Sequence, residues 1–144
     1  MGPAATKAAF IGTTALKAMG QMSAGRAEKR MYDAKAADAI MKGRSEAIAY
    51  KQQGADVLAR LNDNLAAIIT RSAKGGGAGY TIATANMAEA AREHHTTANN
   101  AIMAEGQAAM QADQYQMAGD AAMTTARYNA MSTIGSAIFK FGQL

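Results

Sequence analysis

The chain has no cysteine and no tryptophan, a single proline and three phenylalanines in 144 residues. Without cysteine there is neither a disulfide framework nor thiolate chemistry. With Pro3 as the only proline, no later position breaks a helix through a missing backbone donor. Isoleucine, leucine, valine and phenylalanine together number 18. That is too few to offset the entropy of ordering the whole chain as a solitary globule, roughly 1–2 kcal/mol per residue for the backbone alone. The scarcity of β-branched and aromatic residues excludes a strand-rich fold. No uninterrupted apolar run reaches the length of a standard transmembrane helix. The start of the chain also lacks the basic and compact hydrophobic regions of a secretory signal.

What the chain has in quantity is alanine, 37 residues, together with 11 methionines and 14 glycines. Alanine is the best helix former. A net charge of only +4 is too small to keep such a chain expanded by self-repulsion. The expected fold is all-α: a long helical hairpin, coiled-coil-like, with a glycine-rich turn and completed by oligomerisation.

The turn is expected at Gly75, Gly76, Gly77 and Gly79, four glycines in five positions. Each costs a helix about 1 kcal/mol relative to alanine, so the run acts as a hinge. Four segments follow: an apolar small-residue stretch over 1–23, a first long helix over 24–74, the turn over 75–80, and a second long helix over 81–144. Lys74 suits a helix C-terminus, and Thr81 or Thr84 is a candidate N-cap for the restart. Residues 1–74 carry 12 Lys/Arg against 6 Asp/Glu, and residues 75–144 carry 3 against 5. This asymmetry favours antiparallel packing of the halves. It also leaves a mildly basic first half suited to nonspecific contact with DNA or anionic lipid.

Two packing seams are expected. On the first helix, Val57, Leu58, Leu61, Leu65, Ile68 and Ile69 recur every three or four residues, as one helical stripe does. Upstream the stripe thins to Met31, Ala37, Ile40, Ala47 and Ile48, with Gly43 and Gly54 interspersed. On the second helix, Met103, Met110, Met117, Thr124, Met131 and Ile138 stand seven residues apart, the spacing of a coiled-coil seam. Small residues nearby, Ala108, Ala112, Ala118, Ala122 and Ala126, would let another helix come close.

The chain ends are different in character. All three phenylalanines lie there: Phe10 beside Ile11 and Leu16, then Phe139 and Phe141 beside Ile134 and Ile138. A hairpin brings these residues to one pole, where they would contact a partner subunit or a membrane.

No catalytic constellation is present, so no enzyme activity, metal or cofactor is expected. His94 and His95 are adjacent and therefore point about 100° apart on a helix. Their spacings to Glu89 and Glu93 miss the i, i+3 or i, i+4 geometry of a helical metal site. A solvent-facing pair is the expectation. The glycine run is followed by Tyr80-Thr81 and preceded by helix, which is not the context of a phosphate-binding loop.

One resemblance covers Ala15 to Met117. A small-residue apolar patch leads into Gly20-Gln21-Met22-Ser23-Ala24-Gly25-Arg26. A helix rich in Ala, Lys, Arg and Gln follows, ending in Arg60-Leu61-Asn62-Asp63-Asn64-Leu65-Ala66-Ala67-Ile68-Ile69. Then come a glycine-bearing break and a second helix rich in Asn, Gln, Ala and Met. In composition and layout this resembles the small internal virion proteins of short-tailed bacteriophages, which are ejected into the host envelope. The resemblance implies a virion location, inside capsid or tail, and later the host cell envelope. It further implies a homo-oligomer associated with larger ejection proteins or with portal and tail proteins, and a part in a conduit for genome delivery across the host membrane. Two other readings fit the same composition: a structural tail or head-completion subunit, and a secreted helical translocator or effector of a bacterial secretion system.

Overall fold

A computed structural model describes the backbone of residues 3–74 and 78–142, and side chains from residue 10 onward within those bounds. Two helices account for nearly all of it: α1, Pro3–Ser72, and α2, Gly79–Gly142. They pack against each other as an all-α hairpin, and no strand occurs among the described residues. Three of the four expected hinge glycines, Gly75, Gly76 and Gly77, lie outside the described residues.

Helix α1 begins at Pro3 rather than near Ala24. Proline is well suited to a first helical turn, where its missing N–H has no intrahelical partner. Gly12 and Gly20, which dilute the helical signal there, lie among alanines and other helix formers that carry the helix through. The end of α1 is capped by bonds from Ala73 N–H to Ile69 O (3.0 Å) and Lys74 N–H to Arg71 O (3.1 Å). Arg71 in the last turn complements the helix dipole. Helix α2 starts at Gly79, where a side chain would collide with Ser72: an added Cβ would lie 2.8 Å from the Ser72 Cβ.

Thr81 and Thr84 therefore sit inside α2 and do not cap it. Thr84 Oγ1 instead donates to Thr81 O (2.9 Å) and Tyr80 O (3.2 Å). The same back-bonding satisfies Thr70, Thr96, Thr124 and Thr133, whose hydroxyls donate to the carbonyl four residues earlier. It explains how threonine is tolerated in the middle of long helices.

The chain divides into two compact units, each built from a stretch of both helices. One comprises 1–38 and 111–144; the other comprises 39–110 and holds the turn. In the turn unit, Gly43 faces Ala108 and Gly54 faces Thr97 and His94. Eleven residues forward on α1 are thus matched by eleven back on α2. In the unit carrying both chain ends, Gly25 faces Ala126 and Gly119 faces Tyr32, a step of seven on each helix. These steps are close to whole numbers of helical turns, so the same faces stay opposed.

The core is small in both senses. The buried apolar residues are Ala18, Ala36, Ala47, Ala90, Ala101, Ala104, Ala108, Ala112, Ala126 and Ala130, with Val57 the one larger member among the described residues. Gly25, Gly43, Gly54 and Gly119 are buried with them. Nearer the turn the seam widens to Leu61, Leu65 and Ile68, all half-buried, as expected for these three.

Candidate functional site

The seam on α2 is made of alanines, which puts the methionines outside it. Ala101 and Met103, or Ala108 and Met110, are two residues apart and so about 200° apart around the helix. Met103, Met110, Met117 and Met131 are all exposed, Met117 at 71% and Met131 at 73%. The expected methionine seam between the two helices is therefore corrected to an outward face. The physical reason lies on α1. Glycines and alanines there bring the backbones too close for a methionine to fit between them, whereas alanine fills the gap. Leu58 and Ile69 are likewise exposed, at 45% and 66%, one residue off the stripe formed by Val57, Leu61, Leu65 and Ile68. Met31 and Ile48 also point outward, while Ala47 beside Ile48 is fully buried.

Gly43 and Gly54 interrupt the apolar stripe in sequence, yet they are its points of closest approach. At Gly43 an added Cβ would fall inside the Ala108 methyl group and lie 3.0 Å from Ala104 O. At Gly54 it would lie 2.8 Å from Thr97 Oγ1 and 3.1 Å from His94 Nδ1. The sequence signal for them is position: both share the helical stripe of Ala47 and Val57. By contrast, a Cβ at Gly12, Gly20, Gly106 or Gly135 would meet nothing within 4 Å. Gly106 and Gly135 stand on the outward face with the methionines, where they leave helix stability unimproved and serve no contact within the hairpin.

His94 and His95 separate in role. His95 is exposed, whereas His94 is half-buried, its Nδ1 3.4 Å from the Gly54 carbonyl oxygen across the seam. Thr97, also buried, donates its hydroxyl to His94 O at 2.9 Å. The expected solvent-facing pair is thus one packed and one solvent-facing histidine. Among the described residues no three His, Asp or Glu side chains are grouped so as to hold a metal ion.

At the chain ends, Phe10, Ile11, Thr14, Ala15, Ile134, Ala137, Ile138 and Phe141 line one apolar groove of about 340 Å³. Five of the seven residues expected at the pole are therefore brought together. Leu16 and Phe139 do not line the groove and are exposed at 70% and 69%. Each follows a groove residue by one position, a rotation of about 100° that turns it outward. No helix among the described residues is long and apolar enough to cross a membrane.

No protein-family model matches this chain, and neither a curated protein nor a solved structure matches it either. The surface chemistry carries the functional argument. An alanine–glycine seam holds the hairpin, and apart from Val57, Leu61, Leu65 and Ile68 most of the large apolar side chains are exposed.

Proposed function

We propose that this chain is a non-enzymatic helical subunit of a bacteriophage virion. In this reading it is an internal ejection protein that self-associates and helps form a conduit for genome delivery across the host envelope. The observation that carries the reading is the placement of its apolar residues: alanines form the buried core, while most methionines, isoleucines and phenylalanines are exposed. A hairpin of this kind gains little from folding alone. Covering a single large apolar side chain contributes roughly 1.5–3 kcal/mol, so subunit contacts or a bilayer supply what its own seam lacks.

Methionine on the outward face fits a protein that packs in two settings, first within a particle and then in an envelope, because its side chain adapts to irregular partners. Local helical contacts and the absence of disulfides fit a chain that must unfold, pass a narrow tail and refold. The groove at the chain ends supplies an apolar surface for a partner subunit or for acyl chains.

The test is leakage of dye from lipid vesicles on addition of the full chain, together with its detection in purified virions. The reading expects both. Assembly without leakage would favour a structural tail or head-completion subunit. Leakage by a protein missing from virions would favour a secreted translocator.

A further inference from the structure

The contact between Gly25 and Ala126 has two flanks, and they differ in charge. In an antiparallel pair, the residues one step beyond the contact on each helix fall on the same side. Arg26 and Arg127 take those positions, with Arg30 one turn along α1. Together with Lys29, Asp33, Asp120, Met123 and Thr124 they line an open concavity of about 530 Å³. The opposite flank of the same contact is lined by Gln21, Ala24, Glu28, Ala122, Thr125 and Asn129, with no cation.

Within the concavity Lys29 pairs with Asp120. That carboxylate raises the Lys29 ammonium above its ordinary 10.5, with partial desolvation and the Arg127 charge acting the other way. Arg26, Arg30 and Arg127 form no ion pair among the described residues, and Asp33 is the one acid left beside them. The second half of the chain has only three cations, Arg92, Arg127 and Lys140, and the hairpin register sets one of them against the basic stretch of the first half. Gathering like charges in this way disfavours the folded state unless an anion joins them.

We infer that Arg26, Arg30 and Arg127 form a binding site for the phosphodiester backbone of nucleic acid. The guanidinium fork offers paired donors that match phosphate oxygens. Two forks a helical turn apart with a third across the seam suit a polymer of repeated phosphates better than one ion. The concavity is open, as a strand requires, and Met123 is its one large apolar residue, which leaves little surface for an acyl chain. The site rests on this geometry and needs the virion reading only to supply the DNA.

The test is fluorescence anisotropy of the full chain with a labelled 20-base-pair duplex across a range of salt concentrations. Parallel arms use phosphatidylcholine–phosphatidylglycerol vesicles and millimolar inorganic phosphate. Three phosphate contacts predict a slope of log affinity against log salt near about −2.7. The triple variant Arg26→Gln, Arg30→Gln, Arg127→Gln is expected to lose at least about tenfold in affinity at low salt. A control of equal charge, Arg44→Gln, Arg60→Gln, Arg71→Gln, is expected to stay within about twofold, since those residues lie outside the concavity. If circular dichroism shows the triple variant unfolded, Arg127→Gln alone should lower the slope by about 0.9. Equal losses in variant and control would overturn the site, as would unchanged duplex binding by the triple variant. Loss of vesicle binding alone would assign the arginines to lipid headgroups, and binding of phosphate without duplex affinity would assign them to free phosphate; either contradicts the proposal. Its failure would leave vesicle leakage, the test of the function, untouched.

Discussion

Gly43 and Ala108 face each other across the seam with room for one methyl group and no more. The usual effect of glycine to alanine in a helix is a gain of about 0.5–1 kcal/mol. At Gly43 the added methyl would have to displace Ala108, and overpacking of that kind costs about 1–3 kcal/mol. Gly43→Ala is therefore expected to lower the thermal midpoint, and Gly25→Ala to do the same against Ala126. Gly106→Ala, where a Cβ meets nothing within 4 Å, is expected to raise it. Thermal melts followed by circular dichroism check the opposite signs.

The outward methionines predict a different separation of effects. Met103→Gln, Met110→Gln and Met117→Gln in one chain should leave helix content nearly unchanged, because none of the three side chains is in the seam. Self-association should weaken by at least about tenfold, the loss of roughly one buried apolar side chain out of three. Sedimentation velocity of parent and variant at matched concentrations measures this.

Lys29 and Asp120 give a pH signature in the unit that carries the chain ends. Because the folded state raises the Lys29 pKa above 10.5, the pair's contribution is fully present below that value. It is lost as pH rises through the raised folded value. Parent and Asp120→Asn should accordingly differ in urea midpoint at neutral pH, and the difference should close in strongly alkaline solution. A difference that persists unchanged there would mean the pair is not its source.

At the chain ends the groove distinguishes residues that the sequence groups together. Phe10→Ser with Phe141→Ser removes two of its walls and should abolish vesicle leakage or slow it at least about tenfold, with helix content retained. Phe139→Ser alters an exposed position off the groove and should have the smaller effect on leakage. Equal effects of the two variants would show that general apolarity matters and the groove does not.

The two helices were legible because alanine content and missing prolines act locally, residue by residue. Of the expected stripe, Val57, Leu61, Leu65 and Ile68 line the inward face near the turn, whereas Leu58 and Ile69 are exposed. Beyond it the same logic misled. A heptad of methionines resembles a seam, but the seam is decided by which faces allow the closest backbone approach, and that depends on Gly25, Gly43 and Gly54 meeting Ala126, Ala108 and Thr97. Such pairings depend on the register between helices, which no single stripe contains. For the same reason the gathering of Arg26, Arg30 and Arg127 was not visible: Arg127 lies about a hundred residues from the other two.

In the proposed function this hairpin is a subunit whose apolar exterior is covered by further copies or a bilayer. Sedimentation equilibrium of the full chain over a wide concentration range, with helix content recorded on the same samples, tests it most directly. The account predicts a mass that rises from monomer to a defined oligomer, with helical order and thermal midpoint rising alongside it. A monomer at every concentration, fully helical and melting sharply at one temperature throughout, would contradict it.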